Sequence, residues 1–220
     1  MKSWITLFIT AVMTLLLVAC GEHKSVKGTG EISTQERDLP TFDSLEVHGT
    51  FKIKIEESDT PKVRVTLDKN LIDYVTTEVD GHVLHIQTEE DSSIIATQIP
   101  TVTVGISGLE ELKLAGSVDV SALINSDSLL VTSNGSSRIH LSGKVNKLLV
   151  ELNGSSNLDA KQLEAMNADV KINGSGEVIV NVASKLATEI SGSGTLTYYG
   201  EPSQIENVTI SGSGKVIHGS

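Results

Sequence analysis

The chain has 220 residues, with 17 Lys and Arg against 28 Asp and Glu, a formal net charge of −11, and only 3% aromatic residues. Its basic residues are scattered, so nucleic acid and acidic headgroup surfaces find no cationic patch and are excluded as partners. So few flat side chains leave a core of Val, Ile, Leu and Ala and no sugar-stacking platform.

Met1 to Ala19 carries one charge, at Lys2, followed by an apolar run from Trp4 to Val18 interrupted by Thr6, Thr10 and Thr14. This is the pattern of a secretory signal peptide. The run is short for a membrane span of about 20 residues, and polar sequence comes at once after it, so removal of residues 1–19 is expected. The context Leu17-Val18-Ala19-Cys20-Gly21 resembles the bacterial lipobox, in which a cysteine after a small residue is acylated and opens the mature chain. Cys20 is the only cysteine, which rules out an internal disulfide. A membrane partner through lipid on Cys20 is therefore expected, and two or three acyl chains hold far more durably than one. Gly21 resembles the sorting context of the outer membrane. Loss of Lys2 with the leader takes the net charge from −11 to −12, and the leader also takes Trp4, the one tryptophan.

Residues 20–40 read as the lipidated cysteine and a Gly/Ser/Lys-containing tether. Residues 41–108 read as an N-terminal β-rich cap region, out of register with the repeats that begin at residue 109. Within it, Leu45 to Ile55 and Lys62 to Leu67 alternate apolar and polar, Asn70 to Val75 suits a short helical turn, and Val79-Asp80-Gly81-His82-Val83 is a hairpin signal.

From residue 109 a period governs the chain. Gly-Ser pairs begin at Gly116, Gly135, Gly154, Gly174, Gly192 and Gly212, spaced by 18 to 20 residues. Four residues before these glycines stand Leu112, Val131, Val150, Val170, Thr188 and Val208, and two before stand Leu114, Ser133, Leu152, Ile172, Ile190 and Ile210. Four after stand Val120, Ile139, Leu158, Val178, Leu196 and Val216, with mostly polar residues between. Each unit is therefore a strand, a corner and a second strand, and helical spacing does not fit. Repeated corners of one chemistry favour stacked coils over a sandwich, so residues 109–220 are expected to form an all-β parallel β-helix, one elongated domain with the cap.

At the corner, Asn134, Asn153 and Asn173 precede their glycines, and stacked asparagines can form hydrogen-bond ladders. The serines after the glycines (Ser117, Ser136, Ser155, Ser175, Ser193, Ser213) are expected to form a second ladder. Three residues after the glycines, Asp119, Arg138, Asn157 and Glu177 mark an outward ridge and a candidate ligand-facing surface, although a solvated strand face also explains them.

The lipobox, the stretch Phe42-Asp43-Ser44-Leu45-Glu46-Val47-His48-Gly49, the Asp80-Gly81 hairpin and the recurring Asn/Ser-Gly-Ser corners together resemble the putative auto-transporter adhesin, head GIN domain family, over about residues 40 to 219. The resemblance implies a right-handed β-helix and offers no catalytic motif to carry over.

Lyases and hydrolases on β-helices cluster carboxylates and bases. Here Asp119, Asp159 and Glu177 fall in different coils or on different faces. No cofactor is implied, and no metal: the Gly-Gly-x-Gly-x-Asp calcium repeat is missing, and His82 and His85, three apart, point to opposite strand faces. The expected function is a non-catalytic, adhesin-like module with a glycan or protein ligand. Self-assembly through the solenoid end, where Ser220 closes the sequence eight residues after Gly212, is the alternative, and a carbohydrate-active enzyme the third reading.

Overall fold

The computed structural model describes residues 24–89 and 92–220. The leader and Cys20 lie outside the described residues. In chain order the strands are β1 (Lys24–Lys27), β2 (Ile32–Arg37), β3 (Ser44–Glu57), β4 (Lys62–Asp68), β5 (Val75–Asp80), β6 (Val83–Thr88), β7 (Ser92–Ile95) and β8 (Thr101–Ile106). The long solenoid strands come next: β9 (Glu111–Gly135), β10 (Arg138–Gly154), β11 (Asn157–Gly174) and β12 (Glu177–Gly192). The chain ends in β13 (Thr195–Tyr199), β14 (Gln204–Gly212) and β15 (Lys215–His218). The fold is all-β, a solenoid of about five turns.

Alternation explains the strands. In β9 to β12 the apolar positions turn inward and stack in parallel register, Val131 on Val150 on Val170 and Leu112 on Leu45, so one core column runs through the stack. Each turn adds about 4.8 Å along the axis. Lacking bulky aromatics, the column is filled by β-branched and Leu side chains, with Phe51 its largest buried member at 1% exposure.

The stack begins earlier than the glycine period suggests. Ser44 to Ile55 of β3 pairs in parallel with Glu111 to Ala122 of β9, and Gly49 lies on Gly116 at φ 114°. The upstream segment is thus in register, contrary to expectation. Its corner reads Gly-Thr instead of Gly-Ser, and the inserted cap strands separate Gly49 from Gly116, so the period is invisible in the sequence. Order in space also departs from order in the chain. On its other side β3 pairs with β6 (Ser44 with Val83) and with β8 (Lys52 with Thr101), so the first coil is the middle of three.

Antiparallel strands close this end: β4 on β8, β2 on β4, and β5 on β6 through the Asp80-Gly81 hairpin, with Gly81 at φ 61°. The short helical turn expected near residues 70–75 is a 3₁₀ turn at Ile72–Tyr74.

The expected tether is largely folded. β1 pairs in parallel with β7, and β2 lies along β4. The polar composition misleads because β2 is an outermost strand with most side chains in solvent, and hydrogen bonds to the cap hold it. Asp68, which has no exposed surface, is the centre of that attachment. Its carboxylate accepts hydrogen bonds from Thr97 N (2.9 Å), Gly30 N (2.7 Å) and the Thr97 hydroxyl (2.9 Å). The Thr97 and Gly30 amides hold the Asp68 carboxyl below the usual carboxylate range, against the opposing effect of burial.

At the far end β14 pairs with β12, and a bulge at Asn207 (φ 50°) and Val208 bends it. Ile205, Val208, Ile210 and Ile217 are exposed there.

Candidate functional site

The corner determines how every outward side chain is placed. Each glycine sits on the one below, and the serine amide after it donates to the glycine carbonyl of the preceding turn, as in Ser136 N to Gly116 O (3.0 Å) and Ser155 N to Gly135 O (2.9 Å). Beside this backbone ladder the asparagines form a side-chain one: Asn153 Nδ2 donates to Asn134 Oδ1 (2.9 Å) and Asn173 Nδ2 to Asn153 Oδ1 (2.8 Å). Gly116, Gly135, Gly154, Gly174, Gly192 and Gly212 all have positive φ.

The expected serine side-chain ladder is displaced by one residue. Ser136 and Ser155 project into solvent, while Ser137 and Ser156 point into the core. Ser156 Oγ accepts from Ser137 N (2.9 Å) and lies 2.8 Å from Ser133 Oγ; Ser137 Oγ accepts from Val118 N (3.2 Å). This explains why a serine, Ser133, is tolerated in the Leu/Ile column: its hydroxyl has a buried partner. Further along the stack the same position becomes Gly176, where a Cβ would lie 2.6 Å from Ser156 O.

The outward ridge is a true column. Asp119, Arg138, Asn157 and Glu177 occupy successive rungs at the same register position. Arg138 Nη1 lies 3.7 Å from Asp119 Oδ2, and Asn157 Oδ1 accepts from Glu177 N at 3.3 Å. Two residues along each strand runs a parallel column of Ser121, His140, Asp159 and Ile179, with His140 Nδ1 3.8 Å from Asp159 Oδ2. The two columns enclose a hollow of about 170 Å³ lined by Arg138, His140, Asn157, Asp159, Glu177 and Ile179. A second hollow of about 390 Å³, lined by Lys54, Glu56, Ser121, His140, Ser142 and Gln162 among others, shares His140 with the first.

Together the hollows run along the axis from the first coil to the fifth on one face. Side chains of both signs, amides and hydroxyls alternate there at strand spacing, with donors and acceptors available to a polar ligand. Asp159 and Glu177 stand on adjacent rungs, closer than their sequence separation suggests. His140 is the residue that sequence reasoning missed. The same arithmetic, carried to the fifth residue after each glycine, would have found it.

His82 and His85 are separated as expected and face different carboxylates: His82 Nδ1 is 4.0 Å from Asp43 Oδ2, and His85 Nδ1 is 3.6 Å from Glu46 Oε2. Glu46 also takes a 2.6 Å hydrogen bond from His48, and that bond, with the charges of His48, His85 and Lys113, holds its carboxyl below the usual range against burial. Among the described residues no group of three or more His, Cys, Asp or Glu is placed to hold a metal ion. No helix of the described residues is long and apolar enough to cross a membrane.

The family model described as "Putative auto-transporter adhesin, head GIN domain" matches residues 41–202. The chain belongs to this family. The description is that of a cell-surface or envelope adhesin, and no enzyme activity enters it. Among solved structures, a putative adhesin from Bacteroides fragilis is similar with a TM-score of 0.71 at 14% identity, over 88% of this chain and 99% of that one. A putative adhesin from Parabacteroides distasonis gives a TM-score of 0.57 at 20% identity, over 89% of this chain and 100% of that one. A putative lipid binding protein from the same species gives 0.54 at 23% identity, over 90% of this chain and 100% of that one. At these identities the likeness is one of fold. No curated protein matches the chain.

Proposed function

We propose that the protein is an envelope lipoprotein, anchored through Cys20, that acts as a non-catalytic adhesin-type module and binds an extended polar ligand along the face bearing Arg138 and His140. The carrying observation is the pair of adjoining hollows, which run parallel to the axis and share His140. A flat, repetitive face suits an elongated partner, because each rung offers another set of contacts at a fixed interval. Arg138 lies 3.7 Å from Asp119 at the edge of the hollow, and His140, Asn157, Asp159 and Glu177 line it with donors and acceptors that suit recognition of hydroxyls and amides. A glycan fits that chemistry best. The leader and Cys20-Gly21 support the anchor, and the family supports surface exposure.

The test is a glycan array probed with residues 21–220. Retained glycans should bind the Arg138→Ala/His140→Ala double variant at least about tenfold more weakly, roughly 1.4 kcal/mol. An array without hits, or hits indifferent to the double variant, would overturn the reading.

A second reading, self-association through the solenoid end, draws on the exposed Ile205, Val208, Ile210 and Ile217. It expects concentration-dependent dimers in analytical ultracentrifugation that Ile210→Asp abolishes; a monomer at all concentrations removes it.

A further inference from the structure

We propose that the cap end of the solenoid is a second membrane contact, in which Ile95, Ile99 and Ile32 enter the bilayer beside the lipid on Cys20. This rests on the anchoring of Cys20 proposed above. The location comes from the topology. β2 is the outermost strand of the large sheet, at the end opposite β15, and the chain enters the fold there through β1.

Only residues 21–23 separate Cys20 from Lys24, so even a fully extended connection spans at most about 14 Å. In β1 the partner of Lys27 is Ile95, three residues or about 10 Å along the strand from Lys24. With the step of about 5 Å across to the neighbouring strand, Ile95 therefore cannot stand farther than about 29 Å from the acylated residue.

Nor can this end swing away on a loose leash. Gly28 N donates to Ile95 O (2.9 Å), Asn70 Nδ2 donates to Lys27 O (2.9 Å), and Asp68 holds both Gly30 and Thr97. A lipid at Cys20 thus draws the clasped cap itself against the headgroups.

The side chains presented there suit that position. Ile95 and Ile99 are each 54% exposed and Ile32 43%; no other large apolar residue of the described chain is as exposed as the first two. Alternation explains why Ile95 faces out, since its neighbours Ile94 and Ala96 pack toward the core. It does not explain why an outward position is isoleucine when Ser93, Thr97 and Gln98 around it are polar. Isolated exposed apolar residues are ordinary, but three at the end nearest an anchor match a surface that meets hydrocarbon. The chain's acidity gives no electrostatic attraction to anionic lipid, so the contact is apolar and neutral lipid suffices.

The experiment uses the mature acylated protein, which loses Trp4 with the leader and has no other tryptophan, reconstituted in phosphatidylcholine vesicles with acyl-chain bromines. Ile95→Trp, with Ile99→Trp as a second reporter, should lose more than half its emission to bromine, while Ile217→Trp at the opposite end keeps its own. Equal, unquenched emission at both ends of vesicle-bound protein overturns the proposal. So does a blue shift at Ile95→Trp without quenching, which means that protein, such as a second copy, covers the tip. If mass spectrometry finds Cys20 unmodified, the anchor reading falls separately. The same vesicles are then added to the unacylated protein: quenching at Ile95→Trp upholds the tip contact, and none overturns it.

Discussion

Replacing Gly135 with alanine is expected to lower stability by at least about 2 kcal/mol, read as a lower urea midpoint at unchanged m-value. Two costs combine. The residue sits at φ 144°, on the side of the map that L side chains avoid at about 1–2 kcal/mol. A Cβ there would also run into the carbonyl of Gly116, which is backbone inside the stack and cannot rotate away. Gly30→Ala separates the two effects. Gly30 has φ 84°, yet nothing lies within 4 Å of an added Cβ, so that variant bears the strain alone. If both variants lose the same stability, close stacking is not what holds the corner column to glycine.

The second large effect is expected at Phe51, whose truncation to alanine should cost about 3–5 kcal/mol through lost burial and an unfilled cavity. The side chain is 1% exposed, in the coil lying between β6 and β8 on one side and β9 on the other. Because that coil belongs to cap and solenoid alike, both should melt in one transition shifted to lower urea. A biphasic curve, with early loss of the cap and an unshifted solenoid, would show that the two halves fold independently.

Much of this architecture was legible because the corner imposes one chemistry per turn. Gly116 to Gly212 announce themselves, and the inward positions and the Asn134–Asn153–Asn173 ladder come out by counting. The features that escaped share a physical cause: interactions between segments far apart in the chain leave no periodic mark. Gly49 is followed by threonine and separated from Gly116 by the whole inserted cap, so the first coil looked like something else. β2 looked like a tether because its side chains other than Ile32 are polar and its partners lie beyond residue 60. No pattern around Asp68 announces the three donors that converge on it. The site was half legible: Asp119, Arg138, Asn157 and Glu177 were found as a ridge, but His140 and its hollows depend on two neighbouring columns considered together.

The closed cap has a consequence for how such a molecule can change. Antiparallel strands cover one end, so parallel rungs can be added or deleted only on the other side of β3, in whole turns of about 19 residues. Length is therefore a quantised property: each turn moves the far end by about 4.8 Å while leaving the cap, the corner chemistry and the register of every remaining rung as they were. A lineage can adjust how far its binding face extends by counting coils, with no redesign of the part that holds them.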